Sequence, residues 1–223
     1  MTRASMENKV IGKNGNPRLI VMDLEYTAWE GSLERNWSGP GEVREIIQLG
    51  AVEVTRTVKT WGVGRRLDVH VRPKINPNLS LFIQKLTGIS LKKIQDEGVS
   101  FPKALEKLIA FIPNQASFLV NGDDAVVINE NCVINQILNP FPSGAITNIR
   151  PLLADILGVT IESSALHSFR LGRKTEIQRS ERRPHNAIDD ALCIAEELID
   201  KGICDQVDAY VKRLNSSHLN GGD

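Results

Sequence analysis

Aromatic residues make up only 5% of this 223-residue chain, cysteines number three, and 27 Lys and Arg are offset by 27 Asp and Glu. Without a surplus of charge there is no global field of the histone-like or polybasic membrane-binding kind, so any contact with nucleic acid has to come from local patches. Long apolar runs are also lacking. Nothing approaches the roughly 18 to 20 residues needed to cross a bilayer. The polar stretch from Met1 to Pro17 has no apolar segment of the signal-peptide type, so no membrane contact is expected. Cys132, Cys193 and Cys204 form no C-x-x-C pair and have no histidine at zinc-binding spacing. They read as reduced packing thiols, and the chain as cytoplasmic.

What is present divides the chain into three parts: a flexible N-terminal extension over residues 1–17, one domain over 18–202, and a polar C-terminal extension over 203–223. Leu19 to Met22 is a continuous apolar run of the kind found in a buried central strand, continuing through Asp23 and Glu25. A long irregular segment from Thr27 to Val43 follows, and loops of that length are uncommon unless functional. Glu45 to Thr55 and Asp68 to Arg72 read as further strands, joined by a turn around Trp61 to Gly64. Helical spacing covers Leu79–Thr87, Leu91–Asp96 and Phe101–Ile112, the last with Ser100 as N-cap. Ala116 to Val120 and Ile146 to Ile149 are short strands, Ala125 to Leu138 and Arg150 to Leu157 are helices, and Ala187 to Lys201 is a strongly amphipathic helix. A meander followed by alternating strands and helices predicts an α/β domain with a central mixed sheet flanked by helices.

Three acidic segments could carry chemistry. Asp23 and Glu25 lie two apart on a strand, so both side chains leave the same face. A D-x-E triplet is expected about once by chance in such a composition. Its position at the C-terminal end of a buried strand, where α/β sheets place their sites, is what gives it weight. In NGDDAVVINENC, Asn121 to Cys132, a strand stops and a helix opens near Asp123 and Asp124, one of which suits the N-cap. In HNAIDD, His185 precedes a helix and Asp190 sits one turn inside it; H-x-x-x-x-D is expected about 0.2 times by chance. Each segment taken alone also reads as a solvated strand end or a helix-capping acid.

Together the three segments resemble the DEDDh family of 3′ to 5′ exonucleases in the DnaQ-like superfamily, over roughly Arg18 to Lys201. FIQKLTGIS, Phe82 to Ser90, is similar to that family's segment after the third strand. NGDDAVVINENC is most similar to the KapD and enhanced-RNAi exonuclease branch, with Asn121 where that branch carries Trp. The resemblance implies an RNase H-like fold. It implies that Asp23, Glu25, Asp124 and Asp190 hold two divalent cations, Mg²⁺ or Mn²⁺, and that His185 is the general base. Asp124 is chosen over Asp123 by counting back from Cys132, and Asp189 is the noncoordinating neighbour of Asp190. Leu24 and Tyr26 stand where the family cradles the terminal nucleotide, with Thr27 and Leu86 beside them.

Oxygen-only ligands suit Mg²⁺ or Mn²⁺, and a pair of such ions can serve the attacking water and the leaving oxygen of a phosphodiester. An imidazole that titrates near neutrality can take the proton of the water. The stretch from Ala165 to His185 holds Arg170, Arg173, Lys174, Arg179, Arg182 and Arg183, a local basic arm able to meet a phosphate backbone, although such runs are also often only solvated charge. Tyr26, Trp29 and Trp37 offer rings on which unpaired bases stack. The expectation is a metal-dependent 3′ to 5′ exonuclease that hydrolyses single-stranded nucleic acid to nucleoside monophosphates, RNA slightly preferred to DNA. The alternatives are a DNA-directed proofreading or repair exonuclease and a noncatalytic RNA-binding module. A homodimer is compatible with the resemblance.

Overall fold

The structure, a computed structural model, describes residues 18–113, 116–158, 160 and 183–220. Its centre is the apolar run foreseen in the sequence: β1, Arg18–Tyr26, with Leu19, Ile20, Val21 and Met22 fully buried. Strand β2 (Ile46–Arg56) pairs with it antiparallel, and β3 (Trp61–His70) pairs antiparallel with β2. On the other side β4 (Ala116–Val120) runs parallel to β1, and β5 (Ile146–Asn148) parallel to β4. The order β3-β2-β1-β4-β5 is the expected mixed sheet.

Helices cover both faces. Ile20, Met22 and Leu24 point to a core shared with α3 (Phe101–Phe111) and α4 (Asp124–Ile134). Leu19 and Val21 point the other way, to a core shared with α5 (Arg150–Leu157), α6 (Ala187–Asp200) and α7 (Cys204–Asn220). By the two-residue period of a strand, Asp23 and Glu25 continue the face that α6 covers. The short helices α1 (Leu81–Thr87) and α2 (Leu91–Glu97) form a smaller cluster through Ile83 and Ile94, with Ile47, Ile89 and Leu86. Ser80 and Ser90 cap them, accepting from the Ile83 and Lys93 amides at 3.1 Å each. Ser100 stands at the N-cap of α3 but makes no side-chain capping bond.

Three boundaries differ from expectation. The turn after β2 falls at Thr57–Thr60, where the Thr57 amide donates to the Thr60 carbonyl at 2.8 Å, so β3 already begins at Trp61. Its outer residues are largely exposed, which hid the alternation of an edge strand. Helix α4 ends at Ile134 rather than Leu138, because Asn135 caps it and Gln136 turns to a left-handed φ of 57°. Beyond residue 202 the chain continues as α7, in which Cys204, Val207 and Val211 are buried against the sheet and Ser117 Oγ lies 3.1 Å from Asp208 Oδ1. The apolar stripe of this helix is narrow and its remainder polar, so it resembles a tail in the sequence. No helix among the described residues is long and apolar enough to cross a membrane.

Candidate active site

The parallel pairing of β1 with β4 reaches only to Val21 and Leu119, whereas the antiparallel pairing with β2 runs on to Tyr26. The last residues of β1 therefore outlast β4, and a crevice opens at the carboxyl ends of the two parallel strands, where an open α/β sheet binds its ligands. Asp23 and Glu25 stand at its edge. Glu25 is 8% exposed and Asp23 half-buried.

The start of α6 closes the crevice. Ala187, Ala191 and Ala195 recur every four residues on its buried side, and Asp190 shares that stripe with Ile194. Asp190 is thus turned to the sheet and 2% exposed, while Asp189 accepts the Arg183 amide at 3.1 Å nearer the surface. Two β2 residues seat the helix. Gln48, opposite Glu25 in the ladder, accepts the Ala187 N–H at 3.0 Å through Oε1 and donates to Asp68 at 2.9 Å through Nε2. Gly50, opposite Asp23, leaves room for the helix backbone, because a β-carbon there would fall inside Ala187 and Ile188. Asn186 caps α6, its Oδ1 accepting from the Asp189 amide at 3.4 Å.

His185 lies just outside the helix in a left-handed conformation, φ 58°, with its amide donating to Asp190 Oδ2 at 3.0 Å. Donor atoms of Glu25, His185 and Asp190 all come within 4.8 Å of one another. Asp124, the first residue of α4, sits immediately beyond the end of β4 and is buried. Its carboxylate receives hydrogen bonds from its own amide and from the Leu24 amide, and its charge is felt at Glu25. Asp123, the N-cap, is exposed.

Burial, and then the charges of Asp190 and Asp124, push Glu25 up to about 8. Burial likewise lifts Asp124 to about 6, against the pull of the amide hydrogen bonds and of Arg150. Carboxylates crowded in this way ionise together when a hard cation lies among them, so an oxygen-rich donor set of this type fits divalent metal ions. A pH dependence follows. Both acids hold protons more tightly folded than unfolded, so in chelator their stabilising contribution is complete below about pH 4 and is lost as pH rises through about 6 to 8. The expected result is a Tm that falls from pH 5 to 8 in chelator and a fall that is suppressed by Mg²⁺. A chelated protein whose Tm rises over that interval would contradict it.

A cleft of about 610 Å³ leads to these groups, lined by Asp23, Leu24, Glu25, Tyr26, Trp29 and Leu86 among the residues foreseen, and by His185 and Asp190. Tyr26 packs against Trp37 with ring centroids 5.5 Å apart, and burial pushes its hydroxyl up to about 12. Trp37 is also an anchor, its indole N–H donating to the Thr27 carbonyl at 3.0 Å. Thr27 does not line the cleft. It is 2% exposed, and its hydroxyl is engaged with the Val43 carbonyl at 2.5 Å and the Glu45 amide at 2.9 Å, so it closes the base of the loop. Arg183 is likewise outside the lining residues; its guanidinium lies against Gly88 and donates to the Lys85 carbonyl at 3.2 Å. Arg182 and the basic stretch at 165–181 lie outside the described residues.

Sequence reasoning missed Phe82, Leu33, Asn121 and Arg150, all at the cleft. Phe82 and Leu33 are exposed apolar side chains, 39% and 76% accessible, at its mouth. A periodicity search discounts such residues because they belong to no buried face. Gln48 and Gly50 were equally invisible, since their roles exist only across the β2–α6 contact.

A mixed sheet with acids at the end of its central strand, faced by an acid and an imidazole from a helix start, defines an RNase H-like domain with an acidic cluster at the carboxyl ends of its parallel strands. The chain belongs to the exonuclease family typified by RNase T, which matches residues 20–198. It is 27% identical over 188 residues to human 3′-5′ exoribonuclease 1, covering 79% of this chain and 50% of that protein, in keeping with the enhanced-RNAi branch read from the middle motif. A solved full-length 3′-exonuclease superposes with a TM-score of 0.68 at 26% identity, covering 84% of this chain and 60% of that one. The nuclease domain of 3′hExo, a DEDDh family member bound to rAMP, has the same fold, with a TM-score of 0.70 at 24% identity over 86% of this chain and 96% of that domain. The chain spans about half the length of the curated relative it matches. Family and acidic cluster together imply divalent metal ions.

Proposed function

We propose that the chain is a 3′ to 5′ exonuclease that removes nucleoside monophosphates from single-stranded nucleic acid, with RNA preferred to DNA. The observation that carries this reading is the approach of Glu25, His185 and Asp190 to within 4.8 Å in a cleft whose walls are largely apolar. The RNA preference is supported by the human relative, an exoribonuclease, and by the rAMP held by 3′hExo. The three free cysteines accord with a reducing compartment such as the cytoplasm.

Two Mg²⁺ or Mn²⁺ ions bound by Asp23, Glu25, Asp124 and Asp190 would supply positive charge to the attacking water and to the departing 3′ oxygen. The protein's own groups do the rest. Leu24, Tyr26, Trp29, Phe82 and Leu86 give the unstacked terminal base apolar surfaces, and a stacking contact with one of the three rings, Tyr26, Trp29 or Phe82, is worth about 1 to 3 kcal/mol. His185 takes the proton as the water oxygen bonds to phosphorus, and the P–O3′ bond to the preceding nucleotide breaks, the 3′ oxygen leaving with the bonding pair and taking a proton from solvent. Exposure at the mouth lets its imidazole pass that proton on to solvent.

The test is a pair of 5′-labelled single strands of matched sequence, RNA and DNA, incubated with Mg²⁺, Mn²⁺ or chelator. His185→Ala should lower kcat by about 10² to 10⁴, the range of a general base, with little change in KM. Release of monophosphates from the 3′ end, lost in chelator and faster on RNA, is the expected outcome. A His185→Ala protein as fast as wild type removes the base assignment, and no 3′ shortening of either strand removes the proposal.

A further inference from the structure

The cleft wall next to β4 carries a charge of the other sign. Arg150, the first residue of α5, is the one Lys or Arg among the described residues that line the cleft, where Asp23, Glu25, Glu30, Glu34 and Asp190 are acidic. Its backbone is fixed to the sheet: its amide donates to Asn148 Oδ1 at 3.0 Å, and the preceding Ile149 amide to the Val120 carbonyl at 2.9 Å. From that base the guanidinium reaches across to the turn between β4 and α4. There Nη2 donates to the Asn121 main-chain carbonyl, and Nε lies 3.4 Å from Asn121 Oδ1.

The turn it grips is the one that delivers Asp124. The N-cap Asp123 makes no side-chain capping bond, so the usual device for fixing a helix start is not in use. Gly122 stands between the two partners. A β-carbon built on it would lie 3.1 Å from Arg150 Nη2 and 3.5 Å from Asp124 Oδ2, so guanidinium and carboxylate converge on the space its missing side chain leaves. A planar fork on two acceptors of one residue fixes direction in a way that a single ammonium cannot.

We infer that Arg150 is a positioning residue, which acts through the Asn121–Gly122 turn to aim the Asp124 carboxylate at the metal site. The inference rests on the metal-dependent reading above, and its test can separate the two. At a pH where the carboxylates are ionised with or without it, a positive charge beside a cation site only repels the cation, so there a purely electrostatic role predicts that its removal tightens metal binding. A positioning role predicts the opposite sign.

Mn²⁺ affinity of the full chain, measured by calorimetry, reads this without any nucleic acid. Arg150→Gln should weaken Mn²⁺ binding by about 10-fold or more, as expected for loss of a residue that orients a ligand, while the protein still melts cooperatively. Arg150→Lys keeps the charge and loses the fork, and should weaken binding by an intermediate factor. In an Asp124→Asn background, Arg150→Gln should add nothing, because the two act as one unit. Equal or tighter Mn²⁺ binding in Arg150→Gln overturns the inference alone, as does wild-type affinity in Arg150→Lys should the Gln variant fail to fold. A wild-type protein that binds no Mn²⁺ overturns the metal-dependent nuclease reading itself.

Discussion

Asp190→Asn is expected to slow release of the terminal nucleotide by about 10³-fold, the equivalent of roughly 4 kcal/mol of transition-state stabilisation. The size of the effect comes from where the carboxylate sits. It is 2% exposed, shares the cluster with Glu25 and His185, and accepts the His185 amide at 3.0 Å. Asparagine has the same shape and still offers an oxygen to that amide, so the backbone of the base stays in place and the loss is one of charge. In chelator the variant should melt no lower than wild type, because one member of a crowded set of like charges has gone, and Asp190 is among the charges that push Glu25 upward. Initial rates on 5′-labelled RNA, together with melting curves in chelator, give both readings. Activity within tenfold of wild type would remove Asp190 from the machinery.

Gly50→Ala should be the most damaging single-methyl substitution in the sheet, with a loss of about 3 kcal/mol in urea unfolding, the upper part of the range for overpacking. The requirement is for space and not for unusual dihedrals, since the methyl group would enter the backbone of Ala187 and Ile188. Main chain at a helix start cannot rotate aside as a flexible side chain can. Relief means moving α6 off the sheet, and that helix carries Asp190 and follows directly on His185. Activity should therefore fall further than the folded fraction does. A loss below about 0.5 kcal/mol, the level of an innocuous surface change, would show that the contact is slack.

Legibility in the sequence followed the range of the interactions concerned. Leu19 to Glu25 was readable because a strand buried on both faces has to be apolar throughout, and two acids at its end stand out against that run. Asp190 was distinguishable from Asp189 by the family motif, and the structure turns the former inward. Asp124 was preferred to Asp123 by the related sequences' spacing to Cys132, and of the two it is the buried one. Thr27 went the other way: its place two residues after Glu25, on the face of the two acids, counted in its favour, yet its hydroxyl closes the base of the loop between Val43 and Glu45, partners 16 and 18 residues away. Gln48, Gly50 and Arg150 have no local signature of any kind. Their partners lie 139, 137 and 29 residues distant, and nothing in a window of ten residues marks an amide as a seat for a remote helix. The turn after β2 and helix α7 were misjudged for a related reason, since an edge strand and a helix with one narrow apolar stripe are mostly solvent-facing and look like connecting chain.

The amide of His185 rests on an oxygen of Asp190, and this joins two duties that enzymes often assign to independent parts. Any excursion that carries the His185 main chain outward has to break the same contact that orients the anion below it. The main chain of the proposed base and the carboxylate of a proposed metal ligand are consequently held in one register at the start of α6.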